Sequence, residues 1–319
     1  MVSFTDFYPL NQICYISVGI VGNSDEKQFK GEFEIADLLS ESKNDIHSKL
    51  YYEGKDISKW YLTRKRFIEY GTERSPSKWR RKGFAELFEG SPKLVTMRSP
   101  GTNPRTFLDI ENGYYNESAI GFKRWCDLRG IANNSLSKSY DNDAERKQYE
   151  FISDEYSYQF LLSLFNSSLF RYELNTNRRS NIHIYPEDWK KLRIPKVSLS
   201  DQQPLIELAD TMIVLNKDLQ QKRSRFHRRL QENMSGIKIN GALENFDNLD
   251  FAGFVAELKK QKIKLTLVQQ DEWEEYFNQY KTECQSLKTQ IETTDKEIDK
   301  KVYELYGLTE EEIEVVEGK

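Results

Sequence analysis

Between Lys59 and Lys82 the chain carries nine Lys or Arg and only two acids, Glu69 and Glu73, a local charge of +7. Trp60, Tyr61, Phe67, Tyr70, Trp79 and Phe84 are interleaved with these cations. Dense positive charge with planar side chains between is what a phosphate backbone requires. On this reading Lys59, Arg64, Lys65, Arg66, Lys78, Arg80, Arg81 and Lys82 hold phosphates and set register without specifying sequence. Base reading falls to polar side chains on or beside two loops, Ser99 to Arg105 and Asn175 to Asn181. There Arg98, Asn103, Arg105, Arg178, Arg179 and Asn181 can each make paired hydrogen bonds to one base edge. Trp79 or Tyr115 would be the ring to support an extruded base. The alternative reading of the basic run is a solvated, charge-rich hairpin whose aromatics are core.

Reactive machinery is harder to find. An exocyclic-amine methyltransferase needs an Asn/Asp-Pro-Pro-aromatic loop to grip a base edge, and none of the eight prolines is adjacent to another. The sixteen glycines contain no Gly-x-Gly, so no dinucleotide or S-adenosylmethionine turn is expected. Cys14, Cys126 and Cys284 are far apart, and His47, His183 and His227 lack ligand spacing, which argues against zinc. Glu53-Gly54-Lys55, with Asp45 upstream, has the Glu-x-Lys form of a Mg²⁺-dependent nuclease. Glu257-Leu258-Lys259 and Glu317-Gly318-Lys319 have the same form, which shows how little the pattern specifies. The chain is therefore expected not to be an enzyme on its own, with no catalytic, metal or cofactor site.

The elements that must position the loops read as α+β. Short strands are expected over Asn11 to Val21, Lys49 to Tyr52, Ile57 to Leu62, Phe67 to Tyr70, Ser91 to Arg98, Phe107 to Ile110 and Tyr115 to Phe122. Lys138 to Glu150 reads as polar and exposed, and Tyr156 to Leu174 as a helix. After Pro195 the texture changes. Leu205, Leu208, Met212, Leu215, Leu219 and Phe226 follow alternating steps of three and four. Trp273, Phe277, Tyr280, Cys284, Leu287, Ile291, Thr294, Ile298, Val302 and Leu305 do the same with one slip near the end. Two long heptad-like helices most economically pack together, and an ordinary helical bundle is the alternative. The division expected is residues 1–196, a β-rich domain, and 197–319, a helical spacer and interaction domain with an acidic tail.

Charge is segregated between these parts. From Asp271 to Lys319 there are fifteen acids and six Lys, or −9, so the first 270 residues sum to +5 within a net charge of −4. The tail should avoid DNA and lie against a basic partner or solvent. No apolar run approaches a membrane span and Met1 to Asp6 is no signal peptide, so a reducing cytoplasm is expected.

Seven stretches carry a resemblance. Gly54-Lys55-Asp56-Ile57-x-x-Trp60-Tyr61, Pro92 to Arg98, and Tyr114-Tyr115-Asn116-Glu117-Ser118 resemble the TaqI-like C-terminal specificity domain. That domain is the target-recognition part of adenine-N6 DNA methyltransferases in restriction-modification and phage-exclusion systems. Asn181 to Ile184, Leu192 to Pro195 and Asp201 to Leu205 are similar to a recognition domain entering its helical spacer, as in type I specificity subunits. Ile298 to Ile313 resembles the C-terminus of fused methyltransferase–specificity polypeptides. The resemblance implies a sequence-specific recognition half that is not catalytic by itself. Its implied partners are double-stranded DNA, an adenine methyltransferase domain or subunit that holds S-adenosylmethionine, and a second specificity unit. Beside it stand a coiled-coil interaction scaffold and the minimal nuclease.

Overall fold

The structure, a computed structural model, describes residues 6–318. The chain divides into two compact units, Met1–Ala209 with Ile298–Lys319, and Asp210–Glu297.

The first unit opens with β1 (Phe7–Pro9), α1 (Leu10–Ile13), β2 (Cys14–Val18) and β3 (Val21–Ser24). β4 (Leu39–Ser40), β5 (His47–Tyr52), β6 (Arg66–Glu69), β7 (Trp79–Arg81) and α2 (Ala85–Phe88) follow. Next come β8 (Lys93–Met97), β9 (Thr106–Asp109), β10 (Tyr114–Tyr115) and β11 (Ala119–Arg124). The helices α3 (Asp143–Asp154), α4 (Tyr158–Asn166), α5 (Ser168–Asn177) and α6 (Pro186–Lys190) precede β12 (Arg193–Pro195). This is the α+β class that the sequence indicates.

One four-stranded sheet has the order β2-β11-β8-β9 and is antiparallel throughout. A second has the order β10-β5-β6-β4, with β10 parallel to β5. β3–β7 and β1–β12 are two-stranded ribbons. β2, β8 and β11 are buried at nearly every position rather than at alternate ones, because the sheet is covered on both faces. On the helical side Phe122, Phe165 and Trp189 pack with ring centroids 4.9–5.0 Å apart. The other side holds Tyr52, Phe88, Val95, Phe107 and Tyr115.

A buried polar network crosses this core. Lys93 Nζ lies 2.8 Å from Asp109 Oδ2 and donates to the Phe88 carbonyl at 2.7 Å. The Tyr52 hydroxyl and the Gly113 amide also donate to Asp109. Both charges are thus paired and bonded, the condition for tolerating them in an apolar interior.

Lys138 to Glu150 is exposed or half-buried at every position but Tyr149, as expected, and contains the start of α3, capped by Asn142, whose side chain accepts from the Glu145 amide. Only Tyr149, Ile152 and Ser153 of that helix are buried, too sparse a stripe to read. Ile57 to Leu62 is not a strand. It is a loop closed by an isolated Ile57–Leu62 bridge, with Trp60 at φ 76°.

α7 (Leu199–Asn233) leads into the second unit, which holds α8 (Gly241–Glu244), α9 (Phe251–Lys260) and most of α10 (Leu267–Tyr306); α11 (Glu310–Glu317) belongs to the first. In the second unit the two long helices run antiparallel. Lys222 pairs with Glu283, while Phe226, one turn on, packs against Phe277 at 6.1 Å. Phe246 stacks on Phe226 at 3.7 Å, and Phe254 fills the remaining side. On α7 the buried positions are Gln202, Leu205, Ala209, Met212, Asn216, Phe226 and Leu230. The stripe keeps its three–four step but runs through Ala209 and Asn216, while Leu208 and Leu215 are half-buried flanks.

The boundary expected at 196/197 is displaced. The first turns of α7 belong to the first unit because Gln202 Oε1 accepts from the Ser157 amide and the Leu205 carbonyl accepts from Ser163 Oγ. The end of α10 belongs there because Asp299 accepts from the Ser168 amide and hydroxyl, both at 2.7 Å, at the start of α5. The acidic tail is thus partly structural, although Glu310, Glu311, Glu312 and Glu314 face solvent. Among the described residues no helix is long and apolar enough to cross a membrane.

Candidate nucleic-acid interface

The loop from Arg98 to Arg105 joins β8 to β9, and the loop from Arg178 to Tyr185 joins α5 to α6. They lie against one another. The Ile184 amide donates to the Arg98 carbonyl at 2.8 Å, and Arg178 Nη1 to the Gly101 carbonyl at 2.7 Å. Asn175 Nδ2 donates to the Thr102 carbonyl at 2.7 Å, and Ser99 Oγ lies 2.6 Å from His183 Nδ1. The Arg98 guanidinium sits over the Tyr185 ring, 5.1 Å from its centroid. All six base-reading candidates therefore fall on one cluster of two loops. Asn103, Arg105, Arg179 and Asn181 are exposed, and Arg98 and Arg178 are half-buried between the loops. Arg179 faces Asp188 at 3.7 Å. Below them the buried Arg98 Nε, Arg178 Nε and Asn175 Oδ1 have no hydrogen-bond partner.

The floor of this cluster is the Gly54-Lys55-Asp56 turn and the chain after it. The Arg98 amide donates to the Ser118 carbonyl, and the Gly54 amide to Ser118 Oγ at 2.8 Å. A Cβ at position 54 would overlap the Ser118 carbonyl oxygen, so glycine is required. Glu53 and Asp56 form a capping box across the turn. Arg66 closes it from β6, 2.8 Å from Asp56 and 3.3 Å from Glu53. Burial would raise the Glu53 carboxyl, but bonds from Lys55 and Arg66 outweigh it and hold the group below its ordinary range. The Trp60 amide donates to the Thr106 carbonyl at 2.9 Å, tying the left-handed residue to β9 beside Arg105. A bulky side chain at such a φ stores backbone strain.

The basic run is less uniform. Arg66 is 8% exposed, stacked over Tyr51 and bonded to two carboxylates. It holds the turn, and is not placed to reach a phosphate. Arg64 pairs with Glu41, Lys65 with Glu111 at 2.6 Å, Lys78 with Glu32 at 3.2 Å and Arg80 with Glu26 at 4.0 Å. Arg74 pairs with Glu69 at 2.8 Å. Arg81 donates to Ser17 Oγ at 3.2 Å, Lys82 is exposed and Lys59 is half-buried. Arg66 lies on the β10-β5-β6-β4 sheet and Arg80 and Arg81 on the β3–β7 ribbon. The local +7 is thus largely offset by acids lying outside the run in sequence.

Trp79 and Tyr115 are 3% and 0% exposed, so both are core rings and neither offers a face to a base. Glu53 is committed to Lys55 and Arg66, and among the described residues no group of three or more His, Cys, Asp or Glu could hold a metal. Sequence reasoning missed Asn175, Ser99, His183 and Tyr185, which join the two loops. Their only local signal was proximity to the arginines, because the pairings span 73 to 87 residues.

The domain family DUF8810, a domain of unknown function, matches residues 198–302. No curated protein matches the chain. Three solved structures of restriction-modification proteins are similar to it. The Type IIL restriction-modification enzyme MmeI in complex with DNA matches at TM-score 0.40 and 7% identity, over 94% of this chain and 34% of that one. The type I S subunit from M. genitalium matches at 0.30 and 14%, over 80% and 48%. The HsdS subunit from Thermoanaerobacter tengcongensis matches at 0.29 and 14%, over 75% and 42%. The chain thus spans between 34% and 48% of the length of these proteins.

Proposed function

We propose that this chain is the sequence-reading, DNA-binding part of a restriction-modification system, acting for an adenine-N6 methyltransferase that supplies S-adenosylmethionine and the chemistry. The observation that carries this reading is the convergence of Arg98, Asn103 and Arg105 with Arg178, Arg179 and Asn181 on two interlocked loops, 73 or more residues apart in sequence. Side chains of these types, projecting from a hydrogen-bonded base, are suited to the paired contacts that distinguish base pairs in the major groove. Lys59, Arg64, Lys65, Lys78, Arg80, Arg81 and Lys82 remain as phosphate contacts, the paired ones exchanging a carboxylate for a phosphate. The helical unit would set the spacing to the catalytic part or to a second reader.

Duplex binding under a salt titration tests this directly. Reversing Arg80 and Arg81 to Glu weakens all duplexes alike. Arg105→Ala or Arg179→Ala instead relaxes preference at one base pair, by about 1–3 kcal/mol. Uniform loss from all four changes, or no duplex binding at moderate salt, overturns the proposal.

A further inference from the structure

Ile182 lies among the polar tips of the two-loop cluster and is 67% exposed. Single exposed aliphatic side chains are common and usually need no explanation. Ile46 and Ile110 are exposed to a similar degree, but Ile182 differs in lying among the candidate base-reading side chains on a held loop. Ser180 Oγ accepts from the Ile182 amide at 3.2 Å and from the His183 amide at 3.3 Å. The next residue is tied to the other loop through Ser99, and Ile184 is fully buried with its amide on the Arg98 carbonyl. The backbone on both sides of Ile182 is therefore fixed, and its side chain is presented to solvent between Asn181 and His183. A rigid loop gains nothing in water from an exposed branched aliphatic; it gains when apolar surface covers it.

We infer that Ile182 is a specificity residue that packs against the C5-methyl group of a thymine in the major groove. This rests on the proposed function of the cluster. The thymine methyl is the apolar feature of the major-groove edges, and it sits beside the acceptors that Asn181 and the arginines would read. Insertion between base steps is a different role; it would not depend on that methyl.

The test begins with the duplex site that the full chain enriches from a randomised library. Each thymine of that site is then replaced singly by deoxyuridine, which removes only the methyl group. The wild type should lose about fourfold in affinity at one position, the scale of one buried methyl. Ile182→Ala should show no loss at that position, whereas Ile182→Val should keep most of it. The residue is exposed, so an unchanged melting temperature verifies the fold of each variant. Equal deoxyuridine sensitivity in wild type and Ile182→Ala, or no sensitive position in the wild type, overturns the inference while leaving the DNA-reading role intact. Failure to enrich any site overturns the reading beneath it, and the inference with it.

Discussion

Arg66 and Gly54 show how a residue's role can differ from its appearance. In sequence Arg66 is one cation among nine; in the fold it is an internal clamp on Asp56, which is 4% exposed. Removing one partner of a buried pair strands the other charge. Arg66→Gln should therefore lower unfolding stability by about 3 kcal/mol in urea titrations, while leaving the salt slope of duplex binding unchanged. A phosphate contact would do the reverse. Gly54→Ala should also destabilise, by forcing the turn away from the Ser118 carbonyl. It should reduce site preference as well, since that carbonyl anchors the Arg98 amide. The Gly-Lys-Asp turn was legible because its glycine and its capping acids are local. Its partners were not, because Ser118 lies 64 residues away.

At the level of elements, both long helices follow from periodicity, since burial on one stripe leaves a periodic record; the central strands, buried on both faces, are legible only as short apolar runs bounded by turns. The exact seam does not. Ala209 and Asn216 occupy buried positions of α7 where leucines one residue earlier score better. In the second unit the pairing of the helices is locked by Asp247, fully buried and bonded to Arg223 at 2.9 Å and to Lys288. Asp247→Ala should destabilise that unit by about 3 kcal/mol in chemical denaturation. His227 provides a pH signature. Burial, opposed by its bond to the Leu243 carbonyl, lowers its pKa below the ordinary 6.5. The folded chain thus stays unprotonated where the unfolded chain gains a proton, and stability falls as pH drops below about 6.5. His227→Gln should flatten the dependence below about pH 6.5.

For the whole molecule, the sequence overstated the basic surface because charge counted along the chain ignores acids brought in by folding. Glu26, Glu32, Glu41 and Glu111 each sit within 4.0 Å of a cation of the run. If all seven remaining candidate phosphate contacts released counterions, log affinity would fall against log salt with a slope of about −6. Carboxylate-paired cations release few, so the measured slope should be distinctly shallower. Specificity would then rest on the two loops more than on charge. Sequencing the duplexes retained from a randomised library by the full chain tests that most directly. One short motif should emerge, and Arg105→Ala should blur a single position of it while overall retention persists. A library that emerges unenriched, or a motif untouched by substitutions throughout both loops, would contradict the assignment of DNA reading to this cluster.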